Sequence, residues 1–342
     1  MELETFSLPL HSPLETAAGS LTHRDGLLIS LEYDGQHGVG EATPLPGWTE
    51  SQAECREALS RAGDIAEELD WGIALARTDP PAARHGLSLA LAEARARTAE
   101  KPLYRSLGDD RLVRSVPVNA TIGDKPTAET VEAARAAVGE GFDCLKLKVG
   151  VRPVEEDVER LQAVREAVGD GVELRADANG AWSVEEAEQA FEAFGALGVE
   201  YVEQPLPAEN LVGHTQLRGG PVDVALDEAL VEYSVDEILS ELAADVLVIK
   251  PMVVGGVDLA RDIATTAREA GVDPVFSTTV DAVVARTGAV HLAASLPEPR
   301  ACGLATASLL AEDLSADPAP VTDGAIEVPQ GKGLGLPDRP AR

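Results

Sequence analysis

The strongest constraint on this chain is a repeat that begins near Ser115 and runs to about Thr306. Short apolar segments alternate there with amphipathic ones, a pattern that implies a parallel sheet covered by helices. The predicted strands are Val116–Thr121, Cys144–Val149, Glu173–Asn179, Val199–Gln204, Val222–Asp227, Val246–Lys250, Pro274–Thr279 and Ala301–Thr306. Thr127–Val138, Val154–Val168 and Val184–Leu197 read as helices between them. In the second of these, Val154, Val158, Leu161, Val164 and Val168 recur at helical spacing and form one apolar stripe. Eight strands over roughly 190 residues fit a closed β/α barrel. An open doubly wound sheet, the alternative, wants a glycine fingerprint after its first strand. None follows Val116–Thr121.

Residues 1–112 are organised differently. Gly26–Tyr33 is β-rich and leads into a hairpin turn at Asp34–Gly35. Glu50–Leu69 and Pro81–Ala99 carry helix-forming residues. Thr16–His23 reads as a loop. The Pro- and Gly-rich tail after Ala316 is expected to return onto the amino-terminal segment. The expected division is therefore 1–112 with 316–342, and 113–315 for the barrel.

In a β/α barrel the chemistry sits at the carboxyl ends of the strands. The polar residues there are Lys146 and Lys148, then Arg175, Asp177 and Asn179, then Glu203, Asp227 and Lys250. Strand alternation sends Leu145, Leu147, Leu174, Ala176, Leu247 and Ile249 outward, which turns the polar set inward. Asp177, Glu203 and Asp227 then lie on three adjacent strands and can converge. Three gathered carboxylates repel unless a cation neutralises them. An all-oxygen set suits a hard divalent ion, Mg²⁺ first and Mn²⁺ as a substitute. Lys148 and Lys250, four strands apart, face each other across the mouth. Two opposed lysines and such a cation describe proton abstraction next to a carboxylate.

Composition sharpens this reading. The chain holds 59 acidic and 28 basic residues, a net charge of −31. That disfavours nucleic acid, which needs a basic face, and anionic membranes. A small-molecule carboxylate is the expected partner; the pattern carries no signal for an oligomeric state. Only Lys101, Lys125, Lys146, Lys148, Lys250 and Lys332 are lysines, and the other 22 positive charges are arginine. An acid-rich, lysine-poor chain suggests work in concentrated salt, where screening makes this charge tolerable. Half of the lysines nevertheless fall at barrel-interior positions. Cys55, Cys144 and Cys302 are too widely spaced for a CxxC metal site or a disulfide framework. The amino terminus lacks a signal pattern and no apolar run reaches spanning length, so the chain reads as cytoplasmic.

Lys146-Leu147-Lys148, Asp177-Ala178-Asn179, Glu203-Gln204-Pro205, Asp227-Glu228 and Lys250-Pro251 resemble the muconate-lactonizing-enzyme subgroup of the enolase superfamily. The resemblance covers nearly the whole chain and implies an α+β capping domain on a (β/α)7β TIM-like barrel. The mandelate-racemase subgroup would place a histidine at the seventh strand, where Phe276-Ser277-Thr278-Thr279 has none. Gly40-Glu41-Ala42-Thr43-Pro44-Leu45-Pro46-Gly47 and Arg24-Asp25-Gly26-Leu27 resemble the o-succinylbenzoate synthase family, with Trp48 where Phe is commoner. That family implies a lyase that removes water from 2-succinyl-6-hydroxy-2,4-cyclohexadiene-1-carboxylate in menaquinone biosynthesis. Dipeptide epimerases usually carry Asp-x-Asp at the eighth strand; this chain reads Ala305-Thr306-Ala307.

The resemblance further implies Lys148 as the base, Lys250 as the opposite cation, and Asp177, Glu203 and Asp227 as metal ligands. Arg175 and Asn179 would support the metal-bound end, Lys146 would ease proton loss from its neighbour, and Glu228 would adjoin the site. Ser277 and Thr278 are candidates for a substrate carboxylate, and Gly255 and Gly256 for close approach to substrate. Thr16–His23 would be a capping loop. The competing readings are an N-succinylamino acid racemase or cycloisomerase using the same lysines, and a barrel that keeps a metal only for structure.

Overall fold

The computed structural model describes residues 1–16 and 19–336. Strands β1 (Glu2–Thr16), β2 (Gly19–Tyr33) and β3 (Gln36–Ala42) form an antiparallel sheet. Asp34 and Gly35 both take positive φ, 48° and 72°, as a two-residue hairpin between right-twisted strands requires. The segment expected as a loop at Thr16–His23 is instead strand: Ser20 pairs with Glu15 and Leu21 with Leu14. A fifteen-residue β1 offers it backbone partners along that length; Ala17 and Ala18 lie outside the described residues. The helices Gln52–Glu68 and Pro81–Thr98 pack on this sheet. Ser51 and Glu54 close a reciprocal capping box at the start of the first. Leu27, Ile29, Leu31, Leu59, Leu87 and Leu91 make the shared core.

The second body is a curled parallel sheet whose strands lie in chain order. They are β5 (Ala120–Ile122), β6 (Cys144–Lys148), β7 (Glu173–Asp177), β8 (Val199–Glu203), β9 (Asp223–Leu226), β10 (Val246–Ile249) and β11 (Asp273–Phe276). Its outward residues, Leu145, Leu147, Leu174, Ala176, Leu247 and Ile249, join the helices in one large core. Tyr201, Ala225, Val246, Val248 and Val275 form a separate cluster.

Two predicted strands are corrected. Val116–Thr121 splits into β4 (Ser115–Pro117) and β5, because Pro117 has no N–H for a continuing ladder. The earlier piece pairs with the tail strand Ala325–Glu327 rather than with β6. Ala301–Thr306 is not a strand but a seam. Cys302 N–H donates to Pro117 O at 2.9 Å, and Gly303 N–H to Phe276 O at 2.8 Å. Cys302 and Gly303 thus bridge the segment leading into β5 to the residue after β11, through Val118 and Ser277.

The tail returns to both bodies. Beyond its strand, the Leu103 amide donates to Gly333 O, and the Leu334 amide to the buried Glu93 carboxylate on the Pro81–Thr98 helix. Residues 337–342 lie outside the described residues. Among those described, no helix is long and apolar enough to cross a membrane.

Candidate active site

Strand ends β6 to β10 bring the sequence-predicted charges together. Lys146 Nζ lies 2.9 Å from both Glu203 carboxylate oxygens and 3.1 Å from Asp177 Oδ2. Lys148 Nζ lies 2.8 Å from the same Asp177 oxygen and 2.6 Å from Asn179 Oδ1. Lys250 Nζ donates to Asp227 Oδ2 at 2.5 Å. Three carboxylates are thus matched by three ammonium groups, and the lysines flank the acidic strands on both sides. All three acids are buried, at 3% exposure or less, whereas the Lys148 side chain is 34% exposed. The candidate base is the group of this cluster that a solute can reach.

Burial opposes ionisation of Asp177, but Lys146 and Lys148 outweigh it and hold this carboxyl below its usual range. Glu203 is pushed up to about 7 by burial and by the charge on Asp177. Asp227 rises to about 6 through burial, reinforced by Glu228, in spite of Lys250. Lys146 stays firmly protonated: burial disfavours its charge, and Asp177 and Glu203 more than compensate. Two of the three acids therefore remain under-compensated by the lysines alone.

Among the described residues, no three His, Cys, Asp or Glu side chains stand gathered as a metal cage. The carboxylates are turned toward the lysines. Their chemistry still fits a hard divalent cation, since each offers oxygen donors in a buried, under-neutralised setting. Glu228 adds a buried Oε2 without a hydrogen-bond partner among the described residues, while its Oε1 accepts from Asn179 Nδ2 at 2.9 Å.

Two residues beyond the predicted set shape the mouth. Gln204, fully buried at φ 42°, accepts the Asp227 and Ala229 amides through Oε1, each at 3.1 Å. It thereby fixes where β9 delivers Asp227. Its signal was its place inside Glu-Gln-Pro. Trp48, on the tight loop after β3, lays its ring 3.8 Å from Lys250 Nζ. The unusual Trp in the Pro-Leu-Pro-Gly segment was its signal.

Other predicted residues sit elsewhere. Arg175 faces inward but lies at the opposite end of the barrel from the mouth. It pairs with Glu200 at 2.6 Å, donates to Ala301 O and stacks over Tyr201. Being two residues before Asp177, it sits about 7 Å deeper along the strand, where Glu200 draws it. Gly255 and Gly256 face the first body. Gly255 O accepts from Arg84 Nη1 at 2.7 Å, and a Cβ on Gly256 would meet Ser88 Oγ at 2.7 Å. They make the turn after Lys250 and admit the Pro81–Thr98 helix. Ser277 Oγ donates to Gly303 O, and Thr278 Oγ1 lies 2.9 Å from Thr306 Oγ1, so both hydroxyls have strand-end partners.

Comparison with known proteins agrees with this architecture. Residues 129–339 match the family described as Enolase C-terminal domain-like, and residues 1–94 match MenC, N-terminal domain. An L-Lys-D/L-Arg epimerase of Methylococcus capsulatus is 31% identical over 98% of both chains. An o-succinylbenzoate synthase of Thermobifida fusca is 38% identical over 63% of this chain and 67% of its own. A solved dipeptide epimerase from Methylococcus capsulatus, complexed with Mg and the dipeptide L-Arg-D-Lys, superposes with a TM-score of 0.84. It is 29% identical and covers 97% of each chain. The barrel with its lysine-flanked acids and the two-part match agree: the chain belongs to the enolase superfamily.

Proposed function

We propose that this protein is a divalent-cation-dependent lyase that dehydrates 2-succinyl-6-hydroxy-2,4-cyclohexadiene-1-carboxylate to o-succinylbenzoate. The observation that carries the reading is the rim at Leu304–Ala307. Family resemblance puts two acidic residues there in dipeptide epimerases, to hold a substrate ammonium. This chain has Ala305 and Ala307 around Thr306, whose hydroxyl meets Thr278. An uncharged rim suits a substrate without an amino group, because a buried ammonium needs a paired carboxylate. The MenC-like amino-terminal segment and the Thermobifida fusca relative support the same choice.

Asp177, Glu203 and Asp227 would hold Mg²⁺, for which Mn²⁺ can substitute. When bound, the ion supplies positive charge where the substrate carboxylate gains negative charge. Lys148 removes the proton α to that carboxylate. The C–H electron pair becomes ring π density as the C–O bond to the hydroxyl breaks, and Lys148 returns its proton so that water leaves from the same face. Lys250 stands on the far side of the acids and stabilises the developing negative charge. Trp48 holds that ammonium by cation–π contact. Lys146, anchored by Glu203 and Asp177, keeps a fixed positive charge beside the base. Asn179 bridges Lys148 to Glu228.

A second reading, racemisation of an N-succinylamino acid, is favoured by the same two lysines on opposite sides of the acids. That placement serves delivery of a proton to either face. The test offers the cyclohexadiene substrate and N-succinylamino acids to the purified protein with Mg²⁺ in D₂O. Growth of aromatic absorbance without α-deuteration of the amino acids supports the lyase. Deuteration alone supports the racemase. Absence of both, with melting unchanged by EDTA, overturns the metal-dependent account. Lys148→Ala should abolish whichever turnover is found.

A further inference from the structure

The helix Val154–Val168 follows β6 and packs its apolar stripe on the barrel, yet two ionisable residues lie on its buried face. Asp157 is 0% exposed and Arg160 is 1% exposed. They form an ion pair at 2.9 Å, and Arg160 Nε has no hydrogen-bond partner among the described residues. Burying such a pair costs desolvation that an apolar pair of similar volume would avoid, and adhesion of a helix to a sheet does not require it. Its hydrogen bonds show a different use. Arg160 Nη2 donates to the backbone carbonyl of Lys148. Asp157 Oδ2 accepts the backbone amide of Gly150 at 2.7 Å. Arg160 Nη1 reaches across to Asp124 Oδ1 at 2.6 Å, just past the end of β5, where Arg152 also binds.

The register explains why the clamp is needed at this point. The last pair between β5 and β6 is Ile122 with Leu147. The Lys148 carbonyl therefore lies one residue past the ladder and has no strand partner on that side. Beyond it Gly150 turns at φ +88°. On its other edge β6 stays paired, Lys148 with Asp177 of β7 and the Val149 amide donating to Asp177 O at 2.9 Å, so without the clamp the backbone bearing the candidate base would be held from one side only.

We propose that Arg160, with Asp157, is a positioning residue that fixes the Lys148–Gly150 backbone and so aims the Lys148 ammonium. The proposal rests on the reading of Lys148 as base, but its physical half stands independently. A base displaced by about 1 Å loses up to about 100-fold in rate. The principal variant is Arg160→Met/Asp157→Asn, which keeps an acceptor for the Gly150 amide and leaves no unpaired buried charge; Arg160→Lys is the conservative companion.

Two readouts decide it. Hydrogen exchange of the peptide covering residues 145–152 should accelerate at least about tenfold in the double variant, with other barrel strands unchanged. On the substrate that wild type turns over, kcat should fall about 10- to 100-fold with KM within about threefold, and Arg160→Lys should recover part of it. Unchanged exchange overturns the clamp outright, whatever the enzyme's substrate. Accelerated exchange with unchanged kcat, while Lys148→Ala is dead, reduces the pair to a structural role and overturns the positioning claim. Full activity in Lys148→Ala instead refutes the assignment of the base, and exchange then reports the clamp alone.

Discussion

Glu41 should be a stitch between the two bodies, and its removal can be worked through quantitatively. The carboxylate is fully buried and accepts three hydrogen bonds. Oε1 takes the Thr43 hydroxyl at 2.5 Å and the Ala282 amide at 2.8 Å; Oε2 takes the Ala285 amide at 2.9 Å. Both amides belong to the start of the helix Val283–Ala294 on the barrel, whose first N–H groups have no intrahelical partners. Burial and Asp281 push this carboxyl up to about 7, so the measurement belongs at pH 8, where it is ionised. Glu41→Gln retains one acceptor oxygen and turns an NH₂ toward the other amide. One buried N–H is left unsatisfied, at about 1–3 kcal/mol. Ionising a carboxyl held at about 7 is itself costly in this site, so the lost charge near the helix N-terminus is not counted as a further loss. Unfolding entropy of about 2 cal/mol/K per residue, over this length, amounts to about 0.7 kcal/mol/K. The expected fall in melting temperature is therefore about 1.5–4 °C, measured by differential scanning calorimetry. Glu41→Ala, which orphans both amides and the hydroxyl, should fall further. A Glu41→Gln melting point within about 1 °C of wild type would refute the account of this carboxylate as an anchor.

Three more outcomes are expected. His214 and His291 are buried and held neutral, each brought down to about 4 by desolvation. Because the unfolded chain protonates them below about 6.5, they withdraw stability as pH falls from about 6.5 toward 4, by about 3 kcal/mol each at the limit. Buried carboxyls raised to about 6–7 gain stability over the same window, so the test is the difference between proteins: His291→Gln should gain urea midpoint relative to wild type between pH 7 and pH 5, and a difference that does not change with pH contradicts this. Stability should rise between dilute buffer and molar KCl, where the screening length shrinks to about 3 Å and a net charge of −31 repels itself less; a flat or falling dependence removes the case for a salt-adapted chain. Gly150→Ala combines a φ of +88° with a Cβ placed 2.8 Å from the Ala181 Cβ, so it should lower kcat through the neighbouring Lys148 and lower the melting point together. A variant with wild-type values in both measurements would show that this turn does not constrain the strand end.

The acidic and basic residues of the mouth were legible because two independent regularities meet on them. Strand alternation chooses the face of the sheet, and one βα unit separates Lys148, Asp177, Glu203, Asp227 and Lys250 in turn. Alternation does not give depth. Arg175 shares the inward face with Asp177 yet serves the far end of the barrel, because Glu200 and the Tyr201 ring lie there. Periodicity also treats every polar residue on a helix as solvated. It passed over Asp157 and Arg160, whose reason for burial is a carbonyl left over where two strands end out of step. Contacts between the bodies leave even less trace. Trp48 and Lys250 are drawn together by folding, as are β4 and the tail strand that pairs with it. The sequence economy in lysine points the same way. Arginine replaces lysine nearly everywhere, yet arginine cannot shed a proton at neutral pH. On the proposed reading, the barrel keeps lysine at residue 148 because that position serves as the base. On the same reading residues 146 and 250 supply positive charge alone, and each brings a compact ammonium into a narrow gap among buried acids: Lys146 lies 2.9 Å from Glu203 and 3.1 Å from Asp177, and Lys250 meets Asp227 at 2.5 Å.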